Sequence, residues 1–369
     1  MLLYRCASHG CCAPFEEQGG GGSACPRFFT IDLHCHALSL EVERLVANEP
    51  QRLAEPQMMV RTLGEASARH NATQMLPAAF PKLTKAELRL ADMDAMGVDV
   101  QVVSPSPNQY YYWAQEALAR EIVQVQNQHI AALCAQHPDR LLGLGTVALQ
   151  HPALAAEQLY DAVKRLGLKG VEISTSVGAR ELADPALEPF WAAADALQCV
   201  VFIHPLGTSA FERLNAYYLT NVIGQPLETT IALSHLVFSG LMDRRPNLRL
   251  LAAHGGGYLP FYLGRAEHAH NVRPEAQGIR CAPRDYLKRI WFDTVVYDPQ
   301  ALRHLIDTVG VTQVVAGTDY PFDMGSYDLA QLLGLVPNLD PAGQRAILGG
   351  NARKLLGLDQ PAHGQGDSQ

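Results

Sequence analysis

Three things are scarce in this 369-residue chain, and each scarcity excludes something. Cysteine is sparse: eight residues, four of which (Cys6, Cys11, Cys12 and Cys25) fall within the first 27. Cys35, Cys134, Cys199 and Cys281 are scattered without zinc-knuckle spacing, which argues against a disulfide scaffold and for a reducing, cytoplasmic compartment. Positive charge is in deficit, 29 Lys+Arg against 37 Asp+Glu, for a net charge of −8. With no basic stripe, nucleic acid is excluded as a partner. Long apolar runs are missing too. Nothing approaches the ~18 residues of a membrane span, so no membrane association is expected. The first 27 residues, with glycine at every position from Gly19 to Gly22 and no apolar stretch of signal-peptide type, are expected to be a flexible leader. The polar tail 359–369 is expected to be disordered.

What is present is an alternation. Short β-rich apolar runs recur at Phe28–Leu33, Val98–Ser104, Leu141–Val147, Gly170–Ser174, Cys199–Ile203, Leu248–Ala253, Ile290–Val295 and Thr312–Ala316. Between most of them lie segments of helical period, among them Ala86–Met96, Ala114–Gln136, Ala153–Leu166 and Pro299–Val309. Strands alternating with helices imply βαβ units on a parallel sheet. Eight units suit a closed (β/α)₈ barrel, the α/β TIM-barrel class, over residues 28–358. An open doubly wound sheet would usually carry a glycine-rich phosphate turn after its first strand, and none occurs. One connection, about residues 38–83, is long enough to be a cap inserted after the first strand. The segment after the fifth strand, with Phe211, Tyr217 and Tyr218, is a similar candidate.

In this barrel class the reactive groups sit at the C-terminal strand ends. Strand one ends in Asp32-Leu33-His34-Cys35-His36, and residues two apart on a strand share a face. His34 and His36 can therefore approach one ion, while Cys35 faces the packing side. Strand five ends at His204, strand six at His254 before Gly255-Gly256-Gly257, and strand eight at Asp319. Five such residues at equivalent ends read as a metal site. Neutral imidazoles and a carboxylate suit zinc or a similar divalent ion such as manganese, and a spare histidine suits acid/base work. Asp293 in strand seven could orient a ligand or serve as a barrel-end hydrogen-bond acceptor, and Glu172 in strand four could accept from a ligand or face outward. Tyr110, Tyr111, Tyr112 and Trp113 follow strand two, where Tyr112 is a candidate for lining the substrate pocket.

The ordered set His34/His36, His204-Pro205, glycine-flanked His254 and Gly317-Thr318-Asp319-Tyr320-Pro321-Phe322 resembles the amidohydrolase superfamily, and more narrowly its decarboxylating branch. The resemblance extends over residues 28–357 and takes in Asp92-Met93-Asp94-Ala95-Met96-Gly97 and Gly350-Asn351-Ala352-Arg353. It implies that His34, His36, His204 and Asp319 hold one zinc, and that His254 is the acid/base. It also implies that Arg265 binds a substrate carboxylate in the neighbouring subunit of a homodimer. The family's second carboxylate-binding arginine has no clear match; Arg61 and Arg69 are the candidates, and Asp323 stands where relatives have a second proline. The resulting expectation is metal-dependent, non-oxidative decarboxylation of an aromatic or unsaturated carboxylic acid in catabolism, with His254 and Asp319 in the catalytic roles. The alternative is a hydrolase of an amide, lactone or related acyl substrate on the same residues, since fold and metal do not settle the chemistry.

Overall fold

Short β-branched runs that alternate with amphipathic segments bury themselves by stacking strands side by side and covering them with helices. In the structure, a computed structural model that describes residues 27–358, this gives eight parallel strands. They are β1 (Ile31–Ala37), β2 (Val100–Pro105), β3 (Leu141–Gly143), β4 (Gly170–Ile173), β5 (Val200–Ile203), β6 (Arg249–Ala252), β7 (Trp291–Asp293) and β8 (Val314–Val315). The regular ladders form two arcs, β1-β2-β3 and β4-β5-β6-β7-β8. Backbone bonds close both gaps. Gly145 N–H donates to Gly170 O at 2.9 Å, and Leu33 N–H to Ala316 O at 2.9 Å, with a parallel bridge between Cys35 and Tyr320. Residues 1–26 of the expected leader and the tail 359–369 lie outside the described residues.

The helices Ala86–Met96 and Pro299–Val309 occupy the spans that their periodicity predicts. Pro299–Val309 begins with Asp298 accepting from Ala301 N–H, a side-chain N-cap. The core divides between strands and helices. Ile31, Leu33, Val102, Phe202 and Leu251 form one buried cluster, whereas Cys35, Ala37, Val103 and Ile203 pack with the helices in another. Strict alternation would keep Leu33 and Cys35 together. A register shift between Asp32 and Cys35 separates them, as a bulge does.

The connection after β1 is not irregular. It folds into the helices Leu40–Val46, Pro50–Leu63, Glu65–His70 and Leu76–Thr84, the last two joined by a π-turn. Its ends are tied by Leu38 N–H donating to Leu83 O at 3.0 Å. Helix Pro50–Leu63 buries no residue, which explains why no apolar stripe announces it. It leans on the segment after β5: Thr220 Oγ1 donates to Thr62 O at 2.7 Å, and Arg61 pairs with Glu212 at 3.2 Å. Gly64 ends that helix with φ +80°, and a side chain there would meet Asn215 O at 2.0 Å. Only glycine satisfies both conditions.

Candidate metal centre

The strand ends bring His34, His36, His204 and Asp319 together, with one ligand-type atom from each lying within 4.8 Å of the others. The β1 irregularity still leaves both imidazoles on the cluster side. His34 and His36 ring centres are 5.2 Å apart, and each stands 4.9 Å from His204. Asp319 reaches in from a left-handed backbone, φ +58°, held by its N–H donating to His34 O at 2.8 Å. Its Oδ1 lies 3.3 Å from both His34 Nε2 and His36 Nε2.

The outward nitrogens of the two β1 histidines are already engaged. His34 Nδ1 bonds Asp293 Oδ2 at 2.6 Å; His36 Nδ1 meets Pro105 O at 3.2 Å and Ser104 Oγ at 3.3 Å. Glu172, behind His36 at 3.5 Å, accepts from Tyr110 OH at 2.6 Å and from Ser104 Oγ. Asp293 is thus a carboxylate that orients the His34 imidazole, whereas Glu172 stands one bond further back and holds Ser104, which meets His36. The inward atoms tell the complementary story. His34 Nε2, His36 Nε2, both His204 nitrogens and Asp319 Oδ1 are buried and have no hydrogen-bond partner. Leaving a buried polar atom unpaired costs about 1–3 kcal/mol. Four of them, one from each residue, lie close enough together to fit a divalent cation, and a neutral-nitrogen and carboxylate donor set is what such an ion takes.

The electrostatics agree. Burial pushes His204 well below the usual imidazole range, helped by the neighbouring histidines, which keeps one of its ring nitrogens unprotonated. Burial also opposes charge on His34, but Asp319 and Asp293 outweigh it and hold its pKa up to about 10, so an ion binding there would displace a proton. Burial would raise Asp319, yet the histidines around it keep it well below the carboxylate norm. Asp319 is therefore an anion ready for a cation.

His254 adjoins this cluster without joining it. Its Nε2 is 3.6 Å from Asp319 Oδ2 and its side chain is 15% exposed, while its N–H donates to Asp293 Oδ2 at 2.9 Å. The three glycines that follow all have positive φ, and side chains on Gly255, Gly256 and Gly257 would meet Val296, Phe292 and Pro226 O within 2.1–2.5 Å. Beside His254 and Asp319 a cavity of about 450 Å³ opens, walled by Val222, Phe261, Val295, Val296 and Met324 with Asn221 and Gln225 on one side.

Other candidates lie elsewhere. Tyr112 is half-buried, stacks on Tyr110 at 5.5 Å and accepts from Ser174 N–H at 3.3 Å, outside the cavity lining. Arg61 is spent on Glu212 and on the Phe211 ring, 5.1 Å away, at the cap surface. Arg69 is exposed. Arg265 lies exposed on the helix Leu263–Val272, and its guanidinium has no hydrogen-bond or ion-pair partner among the described residues. One network escaped the sequence reading. Asp32 accepts from Gln101 Nε2 at 2.9 Å, Thr318 Oγ1 at 2.6 Å and Thr318 N–H at 3.0 Å, and Gln101 Oε1 accepts from buried Arg89 at 2.8 Å. Arg89 also donates to His36 O. A charged residue inside an otherwise apolar strand was the available signal.

The model of the amidohydrolase family matches residues 31–358. The chain belongs to that family. This amidohydrolase is 36% identical over 275 residues to a 2-amino-3-carboxymuconate-6-semialdehyde decarboxylase of Dictyostelium discoideum, covering 74% of this chain and 77% of that protein. Its fold is similar to that of a 5-carboxyvanillate decarboxylase from Sphingomonas paucimobilis, at 25% identity and TM-score 0.78, covering 89% of this chain and 99% of that one. A second 5-carboxyvanillate decarboxylase, from Novosphingobium aromaticivorans and solved with bound manganese and a nitrobenzoic acid, shares the fold at 21% identity and TM-score 0.80, covering 89% and 97%.

Proposed function

We propose that this amidohydrolase is a metal-dependent, non-oxidative decarboxylase acting on an aromatic or unsaturated carboxylic acid. The observation that carries the reading is the cluster of unpartnered ligand atoms opening, past His254 and Asp319, into a mostly apolar cavity. The cavity volume of about 450 Å³ lies in the range of small-molecule sites. Kinship with decarboxylases of muconate-type and aromatic acids supports it.

His34, His36, His204 and Asp319 would hold the ion, zinc or manganese. When bound, it supplies electrostatic stabilisation of negative charge developing on the substrate. The chain's own groups do the rest. Asp293 holds His34 from behind and anchors the His254 backbone, so one carboxylate sets the spacing between the metal ligands and the acid/base. The apolar walls exclude water from the reacting ring. His254, at the cavity wall, delivers the proton that takes up the electron pair left on carbon as the C–C bond breaks and CO₂ departs. The guanidinium of Arg265, without a partner among the described residues, supports a homodimer in which it reaches a carboxylate in the other subunit. Four cysteines free of disulfides and no helix among the described residues able to cross a membrane support a cytoplasmic protein.

The deciding experiment measures CO₂ release by metal-loaded protein from a panel of aromatic and muconate-type acids, with a chelated control. Metal-dependent release from one acid is expected. No release with about one ion bound per chain, together with solvent ¹⁸O entering an amide- or lactone-derived product, would transfer the site to hydrolysis.

A further inference from the structure

His34 and His36 stand on β1 and Asp319 follows β8, so the ligand cluster straddles a seam of the barrel that has no regular ladder. Both sides of that seam are irregular at the ligands. On β1 the register shifts between Asp32 and Cys35; after β8 the Asp319 backbone is left-handed, φ +58°, and the N–H groups of Thr318 and Asp319 share His34 O at 3.3 and 2.8 Å. Strand pairing therefore does not by itself set the spacing between His34 and Asp319. A side chain outside the cluster bridges the same gap. Asp32 Oδ1 accepts from His34 N–H at 3.1 Å and from Thr318 N–H at 3.0 Å, and its Oδ2 accepts from Thr318 Oγ1 at 2.6 Å and Gln101 Nε2 at 2.9 Å. Thr318 Oγ1 in turn accepts from Tyr320 N–H at 3.2 Å, so the residues on both sides of Asp319 are tied to one hydroxyl. Gln101 is held on its far side by Arg89, which also donates to His36 O. Asp32 is fully buried, so water cannot take over any of these bonds.

We infer that Asp32 is a positioning residue of the metal centre: together with Thr318 it fixes the placement of Asp319 relative to His34 across the β8–β1 seam. Asp293 acts on the His34 ring, whereas Asp32 acts on the backbone that carries both ligands. The assignment rests on the cluster being a metal site and is independent of the reaction carried out there.

The test uses Co²⁺ as the probe on full-length protein, because its visible absorption reports coordination geometry whether or not a substrate turns over. Affinity by competition with a chelating dye, the absorption bands, and the Tm of the metal-free protein would be measured together. Thr318→Val nearly keeps the shape and removes the hydroxyl; it should weaken Co²⁺ about tenfold and change the bands. Thr318→Ser restores the hydroxyl and should lie within about twofold of the natural protein. Asp32→Asn should act in the direction of Thr318→Val, and decides the matter if Thr318→Val does not fold. Trp191→Phe removes a buried hydrogen bond elsewhere, 2.7 Å to Leu182 O, and should lower Tm while leaving affinity and bands unchanged. Unchanged affinity and bands in folded Thr318→Val and Asp32→Asn, failure of Thr318→Ser to rescue, or an equal change in Trp191→Phe would overturn the assignment. A natural protein that binds no Co²⁺ would overturn the metal site and the positioning role together. Clamp-dependent Co²⁺ binding without CO₂ release from any acid would uphold the positioning role and overturn only the decarboxylase reading.

Discussion

The strand ends and the cap over them are built on opposite terms. At the strand ends nearly every functional side chain is buried and its outward atoms are tied: His34 to Asp293, His36 to Ser104 and Pro105, Asp32 to Gln101 and Thr318. In the cap, helix Pro50–Leu63 buries nothing, and Leu53, Met58 and Val60 are 66%, 50% and 44% exposed. The polar groups of the barrel rim have no water to fall back on; helix Pro50–Leu63 is held by a few surface bonds that water can replace, while the cap helices on either side of it bury Val42, Val46, Ala79 and Leu83. Precise geometry is confined to the part of the molecule that would carry the charge.

That contrast can be broken, and the sharpest attack is on the ligand cluster itself. Asp319→Ala should remove the one anion among the inward atoms, so the ion, counted by elemental analysis, should fall from about one per chain to near zero and turnover with it. Retained stoichiometry would show that Asp319 is not a ligand.

His254→Ala should separate binding from chemistry. The ion should stay, while kcat falls by about 10²–10⁴, the usual worth of a positioned acid/base. A variant with most of its activity would remove His254 from the mechanism.

Asp293→Asn preserves shape but takes away the charge behind His34 and the acceptor shared with the His254 backbone. Metal affinity, measured by competition with a chelating dye, should drop about 10–100-fold.

The smallest effect belongs to the cap. Arg61→Ala removes an exposed pair and should change stability in urea by less than about 1 kcal/mol. A loss as large as that of a rim variant would show that the cap is as tightly coupled as the barrel.

The parts legible in advance share one property: they repeat. Helices Ala86–Met96 and Pro299–Val309 were readable because burial on one side imposes a period, and the eight strands because burial on both faces makes short apolar runs that recur between them. His34, His36, His204, His254 and Asp319 were readable because apolar runs break off at them. Cap helix Pro50–Leu63 was hidden because a helix with no buried face has no stripe. For Tyr112 the sequence left two readings open, since an aromatic residue near a strand end can as well pack on its neighbour, here Tyr110.

By itself the sequence determined the alternation that closes into a barrel and the order in which ligand-type residues arrive at its rim. Both follow from spacing along one chain. Only the tertiary structure decided that Nε2 of His34 and of His36 stays unpartnered, that Asp32 serves Thr318 and Gln101 instead of joining the cluster, and that Asn221 and Gln225 face the same cavity as His254. Those outcomes depend on partners up to 286 residues away, brought close by strand pairing, and no local pattern encodes the distance between side chains that meet only when the ring is closed.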